Sequence, residues 1–269
     1  THAMKLKPVT SKKQIRLDDR DARVHGNTRE GDELEQASQK EVERISELQR
    51  VFYADARFAM LIVLQGRDAS GKDGTIRKVF GAVNPQGCTV SSFKVPTELE
   101  RHHDFLWRVH QQIPPRGMIG IFNRSHYEDI LVPRVHKLVP KKIWNARYEQ
   151  INDFERMLSA NGVVILKFLL HISRDEQKRR LEDRLTDKQK NWKFRVGDLD
   201  DRRQWNDFTK AYRGILENTS TKWAPWYVVP ADDKHVRDWL VARTIADCME
   251  GLGLAYPKPD PTVAGIEIE

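Results

Sequence analysis

The apolar run at 58–64 leads into Gly66-Arg-Asp-Ala-Ser-Gly-Lys-Asp-Gly74, and this junction constrains the chain more than any other stretch. Gly66, Gly71 and Lys72 keep the spacing G-x-x-x-x-G-K, in which glycines let backbone N–H groups turn inward around phosphate oxygens. A helix opening at Lys72 adds the positive end of its dipole, and the lysine bridges phosphates. Arg67, Ala69, Ser70, Gly71, Asp73 and Gly74 complete the candidate cradle.

The loop departs from the usual pattern at two acids. Asp73 stands where Ser or Thr usually ligates Mg²⁺, and Asp68 lies inside the loop itself. An acid in a phosphate cradle repels the ligand unless a cation lies between them, so Asp68 is a candidate ligand for Mg²⁺. The competing role for Asp68 is to cap the following helix or to pair with Arg67. For Asp73 a bland reading is stronger, because a carboxylate early in a helix suits the dipole.

Further apolar runs at 89–95, 118–122, 163–170 and 226–229 alternate with helical patterns at 32–56, 72–83, 97–112, 141–159 and 232–251. The strands are short and without polar alternation, which predicts a parallel sheet covered on both faces, a three-layer α/β/α sandwich. No linker divides the chain. We expect an N-terminal arm at 1–31, one domain at 32–256 and an irregular tail at 257–269, with Thr1-His2-Ala3 an appended remnant.

Forty-six Lys and Arg against 39 Asp and Glu leave a net charge of +7, which favours polyanionic partners without choosing among them. No apolar run approaches the roughly 20 residues a membrane span needs. With a polar N-terminus lacking an apolar signal core, the expectation is a cytoplasmic protein and no membrane partner. Cys88 and Cys248 lie far apart, without a partner motif, and are read as reduced thiols.

The run at 118–122 ends in Asn123-Arg-Ser-His-Tyr-Glu-Asp129, the place where nucleotide kinases carry an acid beside the phosphate loop. Asn123 offers a carbonyl oxygen without charge, Arg124 suits phosphate in fork geometry, and Glu128 or Asp129 can supply the missing negative charge near a metal. His126 is read as a packing or hydrogen-bonding group, since a nucleotide phosphate is already ionised and needs little base catalysis. After the fourth strand, Arg179 to Arg195 packs cations around a few apolar anchors. A solvated helix is the bland reading. Its position is where nucleotide kinases insert a mobile lid, here placed at about 174–210.

Together the loop, the segment 122–129 and Arg184-Leu-Thr-Asp-Lys-Gln-Lys-Asn-Trp-Lys-Phe194 resemble the polyphosphate kinase 2 family, over nearly all of the chain from about 32 to 253. The resemblance implies a P-loop nucleotide-kinase core of thymidylate-kinase type with a helical lid. It implies Mg²⁺, with Mn²⁺ as its substitute, reversible phosphoryl transfer between inorganic polyphosphate and adenine or guanine nucleotides, and a homo-oligomer, dimer or tetramer. Asp68 and Lys72 match the family's loop acid and lysine, and Arg124 its phosphate-binding arginine; Arg180, Arg184, Lys190 and Lys193 fall in its lid. Asn123 replaces a frequent Asp and Glu128 a frequent Asn, which resembles the subgroup accepting nucleoside mono- and diphosphates. Asp68, Glu128 and Asn123 are then the candidate metal ligands, and the number of ions stays open at Asn123. The rivals are an ATP-dependent nucleoside monophosphate kinase and a basic P-loop switch protein binding nucleic acid. The acid-bearing loop speaks against the first, and the lack of a recognised nucleic-acid motif against the second.

Overall fold

All eight residues of Ala59–Gly66 are buried, and they form the central strand β1. In the computed structural model, residues 4–24, 31–263 and 265–268 are described. Residues 1–3 and 25–30 of the expected arm, and 264 and 269 of the expected tail, lie outside them. The other strands are β2 (Cys88–Ser92), β3 (Ile119–Asn123), β4 (Val163–His171) and β5 (Trp226–Pro230), in the order β2-β3-β1-β4-β5. Every pairing is parallel, with Met60 opposite Ile119 on one side and Val164 on the other.

Side chains of β1 alternate between two apolar layers. Leu61 and Val63 meet α5 (Glu128–Val135), α6 (Lys141–Ala160) and α9 (Trp205–Thr219). Met60, Ile62 and Leu64 meet α1 (Gly31–Asp55), α2 (Lys72–Val79) and α10 (Lys234–Glu250). Burial of both faces explains why β1, β3 and β4 read as continuous apolar runs, whereas β2, at the sheet edge, is polar, half-buried or exposed throughout, and ends at Ser92 rather than 95. The three-layer α/β/α sandwich follows. The path from β1 to β2 steps past β3, whereas β3 to β4 steps past β1, so the strand order reverses beside the end of β1. Such a switch point opens a crevice at the carboxyl ends of the strands.

Two helices differ from the periodic reading. The stretch 97–112 is not one helix but two short ones, α3 (Glu98–Arg101) and α4 (Trp107–His110). Thr97 and Glu100 close a capping box on the first, and Asp104 Oδ1 accepts from Leu106 N at 3.0 Å, starting a fresh turn. Helix α2 stops at Val79 rather than 83, because the chain turns there toward Asn84-Pro85. The charged stretch after β4 becomes α7 (Arg174–Thr186) and α8 (Gly197–Arg203).

Residues 4–24 lie along the body. Val9 N donates to Trp226 O at 2.8 Å, His171 Nε2 bonds Asp18 O at 2.9 Å, and Ile15, Leu17 and Ala22 are buried. Among the described residues no helix is long and apolar enough to cross a membrane, and both cysteines are free thiols, pushed up to about 11 by burial.

One polar cluster stands inside the layer of α6 and α9. Lys167 on β4 is fully buried and places its ammonium on Glu155 Oε2 at 2.6 Å, Tyr127 Oη at 2.7 Å and Thr219 O at 2.8 Å. Glu155 Oε1 accepts from Tyr127 Oη at 2.8 Å and pairs with His126 Nε2 at 3.0 Å. Burial alone would raise the Glu155 carboxyl, but Lys167 and His126 hold it below its ordinary value. Removing one partner of such a pair strands a buried charge. Lys167→Met is therefore expected to lose about 3–5 kcal/mol in urea unfolding, and a loss under about 1 kcal/mol would show that water reaches the cluster.

Candidate active site

The phosphate loop occupies the crevice at the end of β1. A Cβ on Gly66 would stand 2.6 Å from Ser70 Oγ and 2.7 Å from Leu170 O, so only glycine fits against β4 there. Gly71 has φ 102° and Ala69 φ 64°, both left-handed. The carbonyls of five successive residues end on side-chain donors. Lys72 Nζ donates to Gly66 O at 2.8 Å and Arg67 O at 3.2 Å. Gln177 Nε2 reaches Asp68 O at 3.1 Å, Arg180 Nη1 Ala69 O at 2.9 Å, and Arg237 Nη1 Ser70 O at 3.2 Å. Within a planar peptide the C=O and the following N–H point in opposite directions. The carbonyls of Asp68 and Ser70, held by Gln177 and Arg237, thus turn the amides of Ala69 and Gly71 the other way, whereas Ser70 N bonds Arg67 O at 3.1 Å.

Charge converges at the mouth of this loop. Arg124 Nη2 donates to Asp68 Oδ1 at 2.8 Å. Burial would raise the Asp68 carboxyl, but Lys72, Arg124 and Arg184 together hold it below its ordinary value. Lys72 itself is pushed down to about 8, first by burial and then by the neighbouring Arg124. Burial works against the charge of Arg124 as well, yet Glu128 and Asp68 raise its pKa.

The segment after β3 forms the opposite wall. Arg124 adopts φ 62° while its N–H bonds Leu64 O at 3.1 Å, so the backbone turns its guanidinium toward Asp68. Gln65 Nε2 donates to Glu128 Oε1 at 2.9 Å, and Gln65 Oε1 accepts from Ser125 Oγ at 3.3 Å. Asn123 Nδ2 donates to Asp73 Oδ1 at 2.6 Å, tying β3 to the start of α2. Asp129, an alternative source of charge near a metal, turns instead to Arg108 at 3.3 Å. His126 is fully buried against Glu155, away from the crevice.

The predicted residues thus divide. Asp68, Lys72, Asp73, Asn123, Arg124, Glu128 and Arg184 are brought together around the loop Gly66–Gly74, in which Ser70 is fully buried. Arg67 and Arg180 are engaged by protein groups around the loop. The Arg67 guanidinium stacks on Trp205, 3.7 Å from the ring centre, and bonds Thr209 Oγ1 at 2.5 Å. Arg180 commits its donors to Glu176, Ala69 O, Ala231 O and Asp232 O. Lys190 and Lys193 are exposed, the first paired with Asp187 at 2.8 Å and the second over the Trp192 ring.

Several contributors escaped the sequence reading. Gln65, Gln177 and Arg237 hold the loop and its opposite wall, and no local pattern marks them. On α8, Asp198 meets Arg184 at 3.5 Å and Asp201 meets His136 at 3.2 Å. Burial, reinforced by the charge of Asp68, raises both carboxyls. Only their place in the charged stretch after β4 hinted at them.

Residues 28–253 match the family model of polyphosphate kinase 2. The chain is 53% identical over 226 residues to the AMP/ADP-polyphosphate phosphotransferase of Meiothermus ruber, covering 84% of this chain and 85% of that protein. It is 47% identical over 233 residues to the ADP-polyphosphate phosphotransferase of Rhodopseudomonas palustris, covering 82% and 81%. The crystal structure of polyphosphate kinase 2 from Arthrobacter aurescens TC1 superposes with a TM-score of 0.86 at 37% identity, over 97% of both chains.

The lowered value at Lys72 gives a pH-dependent signature. A phosphate seated at Nζ supplies a counter-charge and moves the value back up from about 8. Binding of sulfate, an anion that carries no proton of its own in this range, should therefore take up about one proton near pH 9, and very little near pH 7. Calorimetry in buffers of different ionisation enthalpy measures this; equal uptake at both pH values, or none, contradicts it.

Proposed function

The chain belongs to the polyphosphate kinase 2 family, and on that premise we propose that it transfers phosphoryl groups between inorganic polyphosphate and adenine nucleotides. AMP and ADP are both acceptors, with guanine nucleotides as a further class. The relative from Meiothermus ruber is named for both acceptors, and Asn123 with Glu128 supports the same subgroup. The observation that carries the reading is the carboxylate of Asp68 inside the phosphate loop, within the field of Lys72, Arg124 and Arg184. That arrangement suits a bound cation and two phosphate groups meeting at one point.

In the proposed step an oxygen of the acceptor's terminal phosphate attacks the terminal phosphorus of polyphosphate. The P–O–P bond breaks in line, and the shortened chain leaves with the bond's electron pair. Loop amides and Lys72 orient the phosphates, while Arg124 and Arg184 balance the charge spread over the transferring group. No phosphoenzyme is required. We read 174–210 as a lid that excludes water, Lys190 and Lys193 as contacts for the outer polyphosphate chain, and the protein as a homo-oligomer on its resemblance to the family.

Mg²⁺ fits the residues present. Arg124 takes one oxygen of Asp68 and Gln65 one oxygen of Glu128, and among the described residues no hydrogen bond engages the second oxygen of either. The Asn123 amide points its nitrogen at Asp73, which leaves its oxygen available. Among the described residues no group of three or more His, Cys, Asp and Glu forms a metal cage. Two carboxylates and an amide suit a hard cation that keeps waters and phosphate oxygens as its other ligands. When bound, Mg²⁺ neutralises charge on the phosphates.

The test is product formation from AMP and from ADP, each with Mg²⁺ and polyphosphate and no other donor. We expect ADP and then ATP from AMP, and a loss of about 10²–10³-fold or more in Lys72→Ala. Conversion of ADP alone would remove the AMP acceptor. Reaction only with ATP as donor would replace the proposal with an ordinary nucleotide kinase.

A further inference from the structure

Arg237 lies on α10, far from every sequence motif, yet it is built into the phosphate loop. It is buried, and its Nε and Nη2 grip the neighbouring Asp238 carboxylate at 2.8 and 3.1 Å. Its Nη1 donates to Ser70 O at 3.2 Å. Asp238 Oδ1 in turn accepts from Thr75 Oγ1 at 2.8 Å. The couple therefore holds the loop at Ser70 and α2 at Thr75, on either side of Lys72.

Gly71 shows how close this support comes. A Cβ there would fall on the Arg237 guanidinium, and one on Gly74 would stand 3.4 Å from Nη2. The glycine thus serves two ends: it takes φ 102° and it leaves room for an arginine beneath the loop. All three donor nitrogens of Arg237 are directed at protein oxygens, so it has no need of substrate to be satisfied.

We propose that Arg237 is a positioning residue for phosphoryl transfer: by holding Ser70 O beneath the loop, it aims the Gly71 amide at the phosphate. It acts through the loop and does not touch substrate. The inference rests on the reading of this loop as the phosphate site.

The experiment compares wild type, Arg237→Lys and Arg237→Met by pyrophosphate calorimetry, by kcat and KM with ADP and polyphosphate, and by urea unfolding. In Arg237→Met a misaimed amide should weaken pyrophosphate binding about tenfold and lower kcat by about 10–100-fold. Arg237→Lys keeps a cation and one hydrogen bond in the slot, so it should fall between the two. It also carries the test alone if the methionine variant does not fold. A folded variant with lowered stability but wild-type affinity and kcat would overturn the proposal, leaving Arg237 a purely structural residue. Should wild type bind pyrophosphate yet transfer nothing from polyphosphate, the proposed reaction fails while the affinity comparison still decides this one.

Discussion

Lys72, Gln177, Arg180 and Arg237 hold the carbonyls of Gly66 through Ser70, and the shape of the phosphate loop depends on those bonds. Hydrogen bonds with a charged donor contribute about 1.5–3 kcal/mol each, and three of these four donors are cations. A loop held this way meets its ligand with amides already oriented, so less ordering remains to be done on binding. The donors come from α2, α7 and α10, which makes the loop a junction of three helices rather than a flexible connector.

The opposite wall depends on a different support. Arg124 is a non-glycine residue at φ 62°, a conformation that costs of order 1 kcal/mol or more and persists only when its surroundings fix it. Its own N–H continues the sheet to Leu64, and Ser125 reaches Gln65. Two and three residues past Arg124, His126 and Tyr127 plunge into the charged interior at Glu155 and Lys167. A buried ion pair thus anchors the segment that presents Arg124 and Glu128 to the crevice, although neither member of the pair comes near the site.

Much of this was legible in the chain itself. β1, β3 and β4 are apolar runs bounded by turn residues, and burial gave them their unbroken character, whereas the edge strand β2 is polar and largely exposed. Spacing alone located the loop, since Gly66, Gly71 and Lys72 are neighbours in sequence. What periodicity cannot register is a side-chain cap inside an apolar pattern, so Asp104 split a helix read as continuous. Nor can adjacency tell where a long cation goes. Arg67 sits in the loop but is claimed by Trp205 and Thr209, more than 130 positions away. Arg237 and Gln177 were hidden for the same reason: a donor meeting a backbone carbonyl across the fold leaves no local signature.

The cluster of His126, Tyr127, Glu155 and Lys167 bears on how a sequence of this kind can drift. Any single replacement leaves a charge or a hydroxyl stranded in a dry interior, and a second replacement repairs it only if it lands on the right partner. Those partners lie in three separate stretches of chain, so random change seldom strikes two at once. Descendants should inherit the four as a block, and the invariance that results would advertise interior electrostatics rather than catalysis. Three letters away from Arg124, a residue can be kept by lineage after lineage for reasons that have nothing to do with phosphate.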